Sequence, residues 1–180
     1  LDVGKVAAVV AKPDFIVAAA HVEGCRHAGG CPVGANEGVY AQAFDFTTTV
    51  ASNSLSTSVV TVDTGADAHK PSIAINDSGR YVVAWDQGGE VYARRYNHNS
   101  ATALSGKHDM NQTSDGSQAD VAIRSDGSYV VTFRSDYFGL YFRAANADGS
   151  TSGMSVAITN STSTQASTIS MDSSGAFIVG

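Results

Sequence analysis

The chain has 180 residues, of which 43% are hydrophobic and only 16% are charged, and its net charge is −6. The hydrophobic content is typical of a folded globular protein and argues against a disordered chain. The 11 lysines and arginines form no basic stripe, which argues against nucleic-acid binding, and no apolar run reaches the roughly 20 residues of a membrane-spanning helix.

The first predicted elements are strands. The segment VAAVVAKPDFIVAAA at residues 6–20 reads as a strand, a short turn and a second strand, and GVYAQAFD at 38–45 reads as a third strand. Between the second and third strands lies an insertion that holds the only two cysteines of the sequence, Cys25 and Cys31. We predict a disulfide bond between them, because the composition is typical of extracellular proteins. Closing so short a loop would stabilise it by about 2 kcal/mol.

Two alternatives to the disulfide stay open for this insertion, which reads HVEGCRHAGGC. Two histidines and two cysteines within it form an alternative zinc-ligand set, His21, Cys25, His27 and Cys31, although their spacing matches no paired-knuckle signature. Free thiols are the other alternative. The C-x-x-C-H pattern of covalent haem attachment does not occur.

One sequence motif occurs three times along the rest of the chain. It reads NDSGRYVVAW from Asn76, RSDGSYVVTF from Arg124 and DSSGAFIVG from Asp172. Aligned on their glycines, each copy follows the previous one by 48 residues. A fixed period of this length, without a helical pattern inside it, indicates a repeated β-unit.

Each repeat unit is predicted to hold four strands. A short apolar strand comes first, at residues 72–75, 120–123 and 168–171. A turn rich in Asp and Ser leads to a β-branched and aromatic second strand, at 80–85, 128–133 and 176–179. A third strand follows at 90–96 and 139–145, and a looser fourth strand lies near 107–112 and 155–159.

The second strands are apolar at consecutive positions, whereas a strand with one solvent-exposed face alternates. We therefore predict an all-β chain of four-stranded antiparallel sheets, each covered on both faces, as in the blades of a β-propeller. A linear array of small β-sheets is the alternative. The predicted units are a divergent first blade with the cysteine-containing insertion at 1–67, a second blade at 68–115, a third at 116–163 and the first two strands of a fourth at 164–180. Since propellers have about 4–8 blades, we expect the chain to be part of a larger protein.

The repeat has a recognisable pattern, P-x-[IV]-A-x-x-x-x-G-x-[YF]-V-V-x-W, followed by VYAR-x-Y, an NQT segment and a glutamine. The residues that carry it are Pro71, Ile73, Ala74, Gly79, Tyr81, Val82, Val83, Trp85, Val91, Tyr92, Ala93, Arg94, Tyr96, Asn111, Gln112, Thr113 and Gln118. This pattern resembles repeats of large secreted and cell-surface proteins of bacteria. The resemblance implies a propeller-like architecture and an extracellular or cell-surface location, often with a role in adhesion or in a matrix. The S-x-D-x-G-x-T-W box of sialidase-like propellers is not reproduced.

Two carboxylates and two aromatic residues are candidates for ligand contact. Asp86 and Asp136 each follow a second strand, where the loops of a propeller can face a central pocket. A carboxylate pair can serve glycoside hydrolysis, but nothing in the sequence sets the separation that this reaction needs. Tyr137 and Phe138 lie in the turn between the second and third strands of their unit and could stack on sugars. The strand aromatics are expected to pack between blades.

Several turns are acidic and raise the question of metal binding. Asp77, Asp126 and Asp172 each lie in a turn, but none belongs to a D-x-[DN]-x-[DN]-G loop. Because one carboxylate per turn is what an Asx-turn uses, turn formation is the favoured interpretation. A weak calcium site is the alternative, and no other cofactor is predicted.

These features favour a non-catalytic extracellular protein that serves as a surface, matrix, filament or adhesion component. Its expected partners are a glycan, a protein surface or further copies of itself. The alternative is a carbohydrate-active enzyme or lectin on a propeller scaffold, with its site partly outside these residues. Three N-x-[ST] sequons, at Asn76, Asn111 and Asn160, would be glycan acceptors only in a source with a glycosylating secretory pathway.

Overall fold

The computed structural model describes residues 6–12, 15–22, 38–45, 59–65, 67–112, 115–151, 153–159 and 167–180. Within these ranges every regular element is a β-strand, and the fourteen strands form four antiparallel sheets, none of which closes on itself. The prediction of an all-β chain with four-stranded antiparallel sheets is therefore confirmed for the described residues. None of these ranges contains a helix of the length and apolarity needed to cross a membrane.

The strands follow one another in each sheet in chain order. Sheet 1 contains β1 (Val6–Lys12), β2 (Phe15–Val22), β3 (Gly38–Asp45) and β4 (Val60–Asp63). Sheet 2 contains β5 (His69–Ile75), β6 (Arg80–Gln87), β7 (Glu90–Asn97) and β8 (His108–Asp109). Sheet 3 contains β9 (Gly116–Ile123), β10 (Tyr129–Ser135), β11 (Gly139–Ala145) and β12 (Val156–Thr159). Sheet 4 has β13 (Ile169–Met171) and β14 (Phe177–Val179).

The turns between the first and second strands share one hydrogen-bond pattern. In each turn the Oδ1 atom of an Asp or Asn accepts two hydrogen bonds from the serine two residues later. One comes from the serine backbone N–H (2.8–3.1 Å) and the other from its hydroxyl (2.6–2.8 Å). The acceptors are Asn76, Asp126 and Asp172. The turn glycines Gly79, Gly127 and Gly175 have φ of 76, 94 and 94°, a region that costs glycine little. This local chemistry reverses the chain without help from the rest of the fold.

Strand β6 is buried on both of its faces, as its unbroken apolar run predicts. Tyr81, Val83 and Trp85 belong to a hydrophobic core shared with sheet 1, whereas Val82 and Ala84 belong to a second core shared with sheet 3. Each of the large side chains contributes roughly 1.5–3 kcal/mol by burial. The two cores therefore make sheet 2 the middle layer of a stack.

Hydrogen bonds that recur at the repeat interval join one sheet to the next. The side-chain amide of Asn76 donates to the carbonyl of Arg124 at 3.0 Å. Arg124 occupies the position of Asn76 in the next unit, and its Nε donates to the carbonyl of Ser173 at 3.3 Å. On the third strands, Arg94 donates to the carbonyl of Val62 at 2.6 Å, and its counterpart Arg143 donates to that of Asp109 at 2.8 Å. The same positions thus bind successive sheets together.

Candidate functional site

One end of sheets 2 and 3 concentrates unusual backbone geometry. We call it the bulge rim and define it as residues 67–71, 86–90, 112, 115–119 and 134–139. All five non-glycine residues with positive φ among the described residues lie there, namely Asp67 (66°), Lys70 (47°), Gln112 (55°), Asp115 (79°) and Gln118 (56°). Backbone of this kind is costly and is often found at functional sites. Two pairs recur 48 residues apart, Asp67 with Asp115 and Lys70 with Gln118, so part of this geometry belongs to the repeat.

Asp86, a predicted ligand contact, is buried between sheets 2 and 3 at this rim. Asp86 is 2% exposed, and its carboxylate accepts hydrogen bonds from the backbone N–H groups of Gln118 (2.8 Å) and Ala119 (3.3 Å). The ammonium of Lys70 lies 3.6 Å away. Burial raises the pKa of Asp86, and the two N–H donors and Lys70 oppose that rise. The carboxylate thus fills an anion-binding concavity that the bulge of β9 creates.

This carboxylate clamp occurs in one interface and is missing from its counterpart. In sheet 2 the residue after the bulge is Pro71, which has no N–H to donate, whereas sheet 3 has Ala119 there. In sheet 2, Asp86 pairs with Val91 of the third strand. In sheet 1 the matching valine, Val39, pairs with His21, which has no carboxylate. The interface between sheets 1 and 2 therefore lacks both the carboxylate and the second N–H donor that hold sheets 2 and 3 together at this point.

Asp136, Tyr137 and Phe138 form the whole of the turn between β10 and β11, and all three are exposed. Tyr137 is 68% exposed and Phe138 is 55% exposed, and their ring centroids lie 6.3 Å apart at 58°. Asp136 pairs with Arg134 at 3.0 Å. The strand aromatics behave differently, since Trp85 is buried against Tyr92 in the core between sheets 1 and 2. Of the four predicted contact residues, three thus share one exposed turn and Asp86 is separated from solvent.

A polar cluster that the sequence reasoning missed joins sheets 1 and 2. Lys107 lies 3.2 Å from Asp63, donates to Gln87 at 2.8 Å and sits 4.1 Å from the centre of the Tyr92 ring. Burial acts to raise the pKa of Asp63, but hydrogen bonds from the Gly65 N–H and from Lys107 hold it below its usual value. The residues of this polar cluster lie far apart in the sequence. They meet because Asp63 of sheet 1 lies against sheet 2.

Asp126 and Asp172 use their carboxylates for local hydrogen bonds, whereas in the turn that holds Asp77 the acceptor is the amide oxygen of Asn76. The bonds from Ser128 and Ser174 lower the pKa values of Asp126 and Asp172. Asp148, in the connection after β11, accepts the same two bonds from Ser150. Within the described ranges no three His, Cys, Asp or Glu side chains are grouped so that they could hold a metal ion.

Two of the three sequon asparagines are buried and hydrogen-bonded. Asn76 is 3% exposed, and its amide nitrogen donates to the carbonyls of Arg124 and Ser125. Asn111 is fully buried, donates to the Gly89 carbonyl at 3.3 Å and accepts from the Val91 N–H at 3.1 Å. A glycan on either nitrogen would break these contacts. Asn160 lies outside the described residues.

The cysteine-containing insertion also lies outside the described residues. Residues 23–37, which include Cys25, His27 and Cys31, are not described, nor is the side chain of His21. The disulfide bond and the alternative metal set therefore stay predictions.

No protein-family model matches the sequence, and no curated protein matches it.

Proposed function

We propose that this chain is a non-catalytic structural and binding module of an extracellular or cell-surface protein, with its sheets arranged around an axis as in a β-propeller. One observation carries the proposal. The second sheet is covered on both faces, and hydrogen bonds from recurring positions join it to sheet 1 and to sheet 3. Such a stack is a rigid scaffold whose turns remain available for binding.

The order of contacts supports the radial arrangement. The first strand of each sheet touches the first strand of the next, in the series β1, β5, β9 and β13. Strand β5 also packs on β2, and β9 also packs on β6. First strands in a continuous series are expected when they lie innermost and the sheets fan outwards from them.

The use of the carboxylates supports a non-catalytic role. Asp86 and Asp120 both accept bonds from the backbone of the following sheet, Asp120 from the N–H of Ile169 at 2.9 Å. A catalytic carboxylate has to reach its substrate, whereas these two hold neighbouring sheets in place. Asp136 is exposed, with Arg134 as its ion-pair partner.

The proposal is tested by measuring binding and turnover on the same preparation. The chain is applied to immobilised glycans and extracellular matrix proteins, its self-association is followed by analytical ultracentrifugation, and polysaccharides are assayed for hydrolysis. We expect saturable binding or self-association without hydrolysis. Hydrolysis that Asp136→Asn abolishes in a folded variant would contradict the proposal, as would a lack of binding to every surface, glycan and copy tested.

A further inference from the structure

The turn between β10 and β11 carries two aromatic side chains that the fold does not need. Tyr137 and Phe138 belong to neither hydrophobic core and are mostly exposed. The equivalent turn of sheet 2 consists of Gly88 and Gly89, which have no side chains to present. Since the same sheet geometry forms without these rings, their presence in one unit calls for another explanation than packing.

Polar side chains lie in this turn and next to it in the sequence. The guanidinium of Arg134 lies 3.0 Å from the carboxylate of Asp136, and both side chains are partly exposed, 26% and 57% respectively. The turn therefore presents hydrogen-bond donors and acceptors next to two apolar ring faces. A surface that combines these features suits a ligand with both C–H faces and hydroxyl groups.

The base of the turn is anchored to the rest of the bulge rim. The N–H of Asp136 donates to the carbonyl of Asp115 at 3.3 Å, and the N–H of Gly116 donates to the carbonyl of Gly89 at 2.7 Å. Asp115 is itself held at a φ of 79°. An anchored turn loses less conformational entropy on binding than a mobile one, which favours recognition.

We propose that Tyr137, Phe138, Arg134 and Asp136 form a binding site for neutral glycans. A pyranose ring stacks its C–H face on an aromatic ring, while its hydroxyls donate to Asp136 and accept from Arg134. This inference rests on the proposed binding function and names the ligand class and the residues for it.

Charge selects neutral over anionic glycans at this turn. Arg134 and Asp136 neutralise each other, so the site offers no net positive charge to a sulfate or a uronate. The charge of Glu90, at the rim, interacts with those of Asp109 and Asp115, and the chain as a whole carries −6. An anionic polysaccharide would be repelled by this surface.

The test is isothermal titration of the chain with short linear oligosaccharides of glucose, mannose and N-acetylglucosamine, with oligouronates as the charged comparison. We expect at least one neutral series to bind and the oligouronates not to bind. The double variant Tyr137→Ala/Phe138→Ala should lose about tenfold or more in affinity, the effect expected when a binding hot spot is removed. Tyr137→Phe should keep most of the affinity, because it keeps the ring.

The matched control is Met154→Ala, which removes another exposed apolar side chain, 78% exposed, in the connection between β11 and β12. It should bind as the unaltered chain does. Unchanged binding by the double variant, or binding of oligouronates alone, would overturn the inference. If no neutral sugar binds while matrix binding or self-association persists, the inference fails and the proposed function stands. If nothing binds in any assay, both fail.

Discussion

At the scale of single residues, several carboxylates in the described part of the chain act as acceptors for backbone N–H groups. Asp86 caps the bulge of the next sheet, and Asp120 accepts from the hydroxyl of Ser72 in sheet 2 and from the N–H of Ile169 in sheet 4. The sequence places Asp86 correctly at the end of a strand, but it cannot reveal this role. The partners of Asp86 are main-chain groups 32 and 33 positions later, and main-chain donors have no side-chain signature.

Removal of the Asp86 carboxylate should weaken the interface between sheets 2 and 3. Asp86→Ala leaves the buried N–H groups of Gln118 and Ala119 without their acceptor, at a cost of about 2 kcal/mol in the free energy of unfolding. Urea denaturation measures the loss. The control Asp136→Ala removes an exposed carboxylate and should stay within about 0.5 kcal/mol. Equal effects of the two substitutions would contradict the structural role of Asp86.

The turn carboxylates predict a loss of stability in acid. The pKa values of Asp126, Asp148 and Asp172 are lower in the folded chain than in the unfolded one, because serine donors favour the charged form. Their stabilisation is therefore complete above the unfolded value of about 3.9 and is lost as the pH falls through the folded values. Asp86 acts in the opposite direction, since burial raises its pKa and its charged form is the disfavoured one.

Urea denaturation repeated from neutral pH down to about 2 checks this dependence. We expect the free energy of unfolding to fall most steeply below about pH 4, and the fall to shrink in Ser128→Ala and Ser150→Ala, which remove donors to Asp126 and Asp148. An acid response identical in these variants and in the unaltered chain would show that the serine bonds do not cause it.

At the scale of elements, the sequence predicts strands well where side-chain pattern and turn chemistry agree. Strands β3 and β11 have the predicted bounds, because each lies between clear turn residues. The fourth strand of the first unit was expected from the repeat, but its position at β4 was not predicted, since VTVD is short and follows a run of Ser and Thr without a turn signal. The bulges at Lys70 and Gln118 were also missed, because neither residue is one that a left-handed backbone favours.

The two-sided burial of β6 leads to a matched pair of substitutions. Val82→Ala opens a cavity in the core between sheets 2 and 3 and should cost about 2 kcal/mol of unfolding free energy. Val156→Ala makes the same chemical change on β12, where the valine is 49% exposed, and should cost less than about 0.5 kcal/mol. Thermal and urea denaturation of both variants give the comparison, and similar losses would mean that β6 is not enclosed.

At the scale of the whole molecule, the repeat sets how the sheets join and the individual turns set what they display. The Asx-turns recur from unit to unit and reverse the chain locally, whereas the recurring arginines of the third strands bind one sheet to the next. The aromatic turn at Tyr137 occurs in one unit and supports no neighbour. A scaffold in which the contacts between sheets recur while the turns vary is well suited to a surface or adhesion protein, which is the role proposed for this chain.

Hydrogen–deuterium exchange followed by mass spectrometry tests the central claim, a stack with sheet 2 as its enclosed middle layer, most directly. The amides of β6, covered on both faces, should exchange last, at the rate of global unfolding. Those of β12, an edge strand with exposed side chains, should exchange early. If β6 and β12 exchange at the same rate, the sheets do not enclose one another, and the account of a stacked scaffold is wrong.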